Sequence, residues 1–86
     1  MYRIFFSKRA LKEQKLLKQS GLESNARALL DVLANDPLQR PPSFEKLIGD
    51  FAGCYSRRIN RQHRLVYTVD KEKEKVYVLS MWTHYE

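Results

Sequence analysis

Hydrophobic and polar positions follow two different periods along this chain, and the change of period divides it. Residues 2–6, YRIFF, are aromatic and β-branched and predict a strand, and Ser7 follows with a side chain suited to capping a helix. Over residues 8–19 a helical wheel gathers Ala10, Leu11, Gln14 and Leu17 on one side and Lys8, Lys12 and Lys15 on the other. That pattern predicts an amphipathic helix docked on a core, with lysines turned to solvent. Ser20-Gly21 ends it, because glycine accepts the left-handed backbone that closes a helix. Leu22, Ala26, Leu29, Leu30 and Leu33 then share an arc of about 100° on a second helix, which Asn35-Asp36-Pro37 stops.

Residues 37 to 53 read as a long loop, since Pro41-Pro42 cannot donate to a ladder. Its Phe44, Leu47, Ile48 and Phe51 are expected to pack against the body. Beyond Gly53 the period falls to two: CYSRRIN, RLVYTV and KVYVLSMW predict three strands, with Asp70 to Glu74 as the polar turn between the last two. The order β-α-α-β-β-β predicts one α+β domain over residues 1–86, with two helices packed on a mainly antiparallel four-stranded sheet.

Charge changes the picture next. Sixteen Lys and Arg against ten Asp and Glu leave +6, so the surface should attract polyanions. Nucleic acid is the first such partner, with an anionic membrane or an acidic protein as competitors. Cys54 is the single cysteine, which excludes a disulfide framework and a cysteine-based metal site. No apolar run approaches the roughly 20 residues that span a bilayer, and MYRIFF is too short for a signal peptide. The expectation is a soluble cytoplasmic protein without membrane attachment.

Three stretches combine acid-base or cationic groups: Glu45 in the long loop, SRRINRQHR at 56–64, and His84-Tyr85 near the end. His63 and His84 lack metal-ligand spacing, and three glycines make no phosphate loop. No cofactor or metal is expected. The remaining set suits RNA cleavage without metal, in which a base takes the ribose 2'-OH proton, an acid protonates the departing 5'-oxygen, and cations offset charge on the phosphorane. Each residue also has a plainer reading. Glu45 reads as a surface carboxylate, and Arg57, Arg58, Arg61 and Arg64 as a solvated cationic face. His63 reads as structural or exposed, and His84 as part of a half-buried aromatic end with Trp82 and Tyr85. Composition and spacing alone reach a basic α+β domain that binds nucleic acid.

The blocks YSRRINRQHRLVYTV at 55–69 and the terminal His84-Tyr85 resemble the signature of the Txe/YoeB family of bacterial toxins, within the RelE/ParE superfamily. The resemblance implies a ribosome-dependent messenger RNA endonuclease of a type II toxin-antitoxin system. It implies that Glu45 is the general base, Arg64 and Arg58 stabilise the phosphate, His84 is the general acid and Tyr85 a positioning or stacking group. Arg57 and Arg61 would join the phosphate contacts, and Lys8, Lys12 and Lys15 would face ribosomal RNA. The implied partners are a cognate Phd/YefM-type antitoxin, the 70S ribosome with its mRNA, and a second copy in a homodimer. SFEKLIG departs from the proline-rich context common around the family's glutamate, and Ile48 stands where a basic residue is frequent. Glu86 places a carboxylate beside His84, which would favour the imidazolium. Two other classes stay in view: a ParE-like inhibitor of DNA gyrase on the same fold, and a non-catalytic RNA-binding module.

Overall fold

The change from strand to helix at Ser7 is a capping event. Ser7 Oγ accepts from the Ala10 amide at 3.0 Å and donates to the Leu79 carbonyl at 2.8 Å, so the residue that starts α1 (Lys8–Gln19) also ties it to the end of the sheet. Gly21, at φ 73°, lets the chain reverse into α2 (Glu23–Asn35). Asp36 leaves α2 in extended conformation, and its carboxylate accepts from the Leu38 amide, turning the chain into the proline segment. The structure, a computed structural model, describes residues 1–82.

Among the described residues five strands form one sheet: β1 (Arg3–Phe6), β2 (Glu45–Lys46), β3 (Tyr55–Arg58), β4 (Arg64–Asp70) and β5 (Lys75–Ser80), in the spatial order β1-β5-β4-β3-β2. The expectation of four strands is therefore corrected to five. β2 lies inside the stretch read as loop, and two residues are too few to show an alternation. The sheet is mixed, because β1 pairs parallel with β5 while β2, β3, β4 and β5 pair antiparallel. Nothing in the local pattern of RIFF or KVYVLS sets that direction. Both helices and β2, β3 and β4 separate β1 from β5, a connection long enough for the parallel pair that a tight hairpin could not make.

Both helices cover one face of this sheet. Ala10 and Leu17 from α1 and Ala26, Leu29 and Leu33 from α2 meet Leu65, Tyr67, Val76 and Val78 from the strands. Full burial of one such leucine or valine contributes about 1.5–3 kcal/mol. Leu11, expected in the core, is half exposed. Glu13 is buried in α1, where its Oε1 accepts from the Met81 amide at 2.9 Å and its Oε2 from Arg9 at 3.2 Å. That contact holds the chain just past β5. In the long connection Phe44 is buried as expected, but Ile48 is 86% exposed, so the segment beyond β2 does not pack as its composition suggested. Among the described residues no helix is long and apolar enough to cross a membrane.

Candidate functional site

Register decides which side chains share a face. Glu45 pairs with Ser56, Ser56 with Val66, and Arg58 with Arg64. Since side chains alternate along each strand, Glu45, Ser56, Arg58 and Arg64 lie together on the face away from the helices. Across the intervening β3, Arg64 Nη1 donates to Glu45 Oε1 at 3.2 Å. Two residues that stand 19 positions apart in the chain thus form an ion pair on the face away from the helices.

The pair is poised rather than locked. Glu45 is 65% and Arg64 21% exposed at the side chain, and an ion pair this open contributes roughly 0–1 kcal/mol. An arriving phosphate can therefore take the Arg64 guanidinium at small cost and release the carboxylate. Arg58 is exposed and stands directly opposite Arg64, and like charges at opposed strand positions repel. An anion between the two guanidinium groups removes that repulsion. Ser56 Oγ, buried on the same face between Glu45 and Val66, has no hydrogen-bond partner among the described residues.

Arg57 points the other way. It is 1% exposed, and its guanidinium donates to the carbonyls of Pro42 at 2.6 Å, Pro37 at 3.0 Å and Gln39 at 2.9 Å, and to Tyr67 Oη at 3.0 Å. Its reading as a surface phosphate contact is corrected: the odd position in β3 faces the helices, and the buried guanidinium is occupied by these four neutral acceptors. The signal was in the sequence, because adjacent residues of a strand face opposite sides. The partners were not, since they are backbone carbonyls of the proline segment. Tyr67 in turn donates to Pro37 O at 2.8 Å, and burial raises the pKa of its phenol, partly offset by the Arg57 charge.

Asn60 Oδ1 accepts from the Gln62 and His63 amides and shapes the turn that carries the exposed Arg61. His63 is largely buried, stacks on Trp82 with centroids 3.9 Å apart, and donates from Nδ1 to the Trp82 carbonyl. Trp82 is thereby fastened to the residue that precedes Arg64. Lys8, Lys12 and Lys15 are exposed on α1, on the opposite side of the sheet from Glu45 and Arg64, so the structure separates this lysine row from the pair. A groove of about 270 Å³ between the helices, carrying Glu23 and Asp31, also lies on that far side. His84 and Tyr85 lie outside the described residues.

A family model described as a YoeB-like toxin of bacterial type II toxin-antitoxin system matches residues 6–85. The chain belongs to this family. Toxin YoeB of Synechocystis sp. is 36% identical over 75 residues, covering 86% of this chain and 77% of that protein. Among solved structures, the heterotetrameric YoeB-YefM toxin-antitoxin complex of Staphylococcus aureus contains a chain 34% identical to this one, with TM-score 0.81 and 99% of each chain covered. The YoeB dimer of the same organism matches at 34% identity and TM-score 0.82 over 98% of each chain. The YoeB-like fold thus accounts for the whole described chain, from β1 to Trp82.

Proposed function

We propose that this YoeB-family toxin is a ribosome-dependent endoribonuclease that cleaves messenger RNA in the A site by general acid-base chemistry, arresting translation in the bacterial cytoplasm. The observation that carries the reading is the Glu45–Arg64 pair at 3.2 Å, its carboxylate exposed, beside Arg58. RNA contains its own nucleophile, and a carboxylate beside two guanidinium groups supplies a proton acceptor together with stabilisation for the phosphate attacked.

In this mechanism the scissile phosphate takes the Arg64 guanidinium from Glu45. The freed carboxylate accepts the 2'-OH proton as the 2'-oxygen bonds to phosphorus. Arg64 and Arg58 offset the charge that grows on the phosphorane. The 5'-oxygen leaves with a proton from His84, giving a 2',3'-cyclic phosphate and a 5'-hydroxyl. Tyr85 positions the flanking nucleotide. Water then opens the cyclic ester to the 3'-phosphate. The partner that silences the toxin is an antitoxin of the Phd/YefM type, a reading supported by the staphylococcal YoeB-YefM complex, and self-association is supported by the staphylococcal dimer.

Cleavage of a defined mRNA on purified bacterial ribosomes tests this. Glu45→Gln, Arg64→Ala and His84→Gln are each expected to lower the single-turnover rate, by about 10²–10⁴ for the acid and the base, while the proteins stay folded. Cleavage at the wild-type rate by Glu45→Gln and His84→Gln would remove the catalytic reading. Inhibition of gyrase supercoiling by the purified toxin would replace it.

A further inference from the structure

We propose that Arg57 is a positioning residue for the general base: its buried guanidinium fixes the proline segment that delivers Glu45 to Arg64. This rests on the reading of Glu45 as base. β2 comprises only Glu45 and Lys46, so its own ladder is too short to hold a catalytic carboxylate in place. On its far side Ile48 stands in solvent. Beyond its pairing with β3 and the hydrogen bond from the Leu47 amide to the Cys54 carbonyl, β2 is held by the segment before it, and Arg57 grips that segment at three points, the carbonyls of Pro37, Gln39 and Pro42.

The grip extends to the residue next to the base. The Arg57 guanidinium carbon lies 4.8 Å and that of Arg40 3.9 Å from the Phe44 ring centroid, and Phe44 meets Tyr55 edge-on at 5.5 Å. Tyr67 closes the network by accepting from Arg57 Nε and donating to Pro37 O. The charge is solvated by neutral oxygens, with no carboxylate among the hydrogen-bond acceptors described for it. A cation buried in this way is a costly means of stabilising a loop, where apolar packing would do as well. Its geometric yield is specific. One planar group with fixed donor directions holds three carbonyls and the Tyr67 hydroxyl at once, four acceptors where an ammonium has only three donors. On β3, Arg57 sits between Ser56, which pairs with Glu45, and Arg58, which pairs with Arg64. The same strand therefore registers both members of the pair and anchors the segment leading to one of them.

A double-mutant cycle separates positioning from plain stability. Single-turnover cleavage on ribosomes, with toxin in excess, is measured for wild type, Arg57→Lys, Glu45→Gln and the double variant, with thermal unfolding of each as a control. Arg57→Lys is expected to lower the cleavage rate about 10- to 100-fold, the scale of a misplaced catalytic group, with the half-saturating toxin concentration unchanged. In the Glu45→Gln background the same change should have little further effect, because the group it positions is gone. Tyr67→Phe, which removes one oxygen from the network, should show the same dependence on Glu45 with a smaller loss, and it carries the test if Arg57→Lys does not fold. Effects that multiply, or an Arg57→Lys enzyme with the wild-type rate, overturn the proposal while leaving Glu45 as base. A Glu45→Gln enzyme with the wild-type rate overturns both.

Discussion

Tyr67 shows how much one hydroxyl can carry. Its ring is completely buried among the core strands, and its Oη both accepts from Arg57 and donates to Pro37 O. Burial pushes the phenol pKa up, with the Arg57 charge opposing that shift. The unfolded chain therefore loses this proton first, at about pH 10. Above that pH the folded state holds more protons than the unfolded one, and stability falls as pH rises until the folded phenol also ionises. Tyr67→Phe is expected to cost about 1–3 kcal/mol at neutral pH and to flatten the alkaline fall, both read from denaturant unfolding between neutral and alkaline pH. The residues of the candidate site were legible to different degrees. Glu45 and Arg64 stood out as chemistry-bearing types, but their meeting depends on two ladders and a strand too short to leave a pattern. Arg57 and Arg58 look alike in sequence and have opposite fates, because β3 turns one to the helices and the other to solvent.

At the scale of elements, what was local was readable. α1 begins and ends where its cap and its glycine say, since Ser7 Oγ meets the Ala10 amide and Gly21 takes positive φ. Ser7→Ala is expected to lower stability by about 0.5–2 kcal/mol, and toward the upper end because the hydrogen bond to Leu79 O disappears as well. Thermal or denaturant unfolding reads this directly. The core face of α1 departs from the apolar pattern at Leu11, for a reason outside the helix. Glu13 occupies the interior side to accept from Met81, an acceptor role that only the end of β5 creates. β1 looked like any strand, and its parallel partner 72 positions along could not be inferred from RIFF.

The whole molecule presents two unlike sides. One is the sheet face away from the helices with Glu45, Arg58 and Arg64, and the other is the helical layer with Lys8, Lys12 and Lys15 exposed. If the lysine row serves docking and the sheet face chemistry, the two are separable. Replacing the three lysines by glutamine should weaken ribosome binding and reduce its salt dependence by roughly 0.7–0.9 log units per log unit of salt for each phosphate no longer neutralised. The cleavage rate of bound toxin should not change. An equal drop in that rate at saturating ribosome would place the lysines in the chemistry instead. The net charge of +6, the two helices, the β4–β5 hairpin and the YoeB-like blocks were all determined by the sequence itself, because composition, periodicity and caps act over a few neighbouring residues. The direction of β1, the existence of β2, the inward turn of Arg57 and the meeting of Glu45 with Arg64 were decided only in the tertiary structure. Each depends on pairing or burial between distant segments, whose free energy lies in register and packing that no local pattern records.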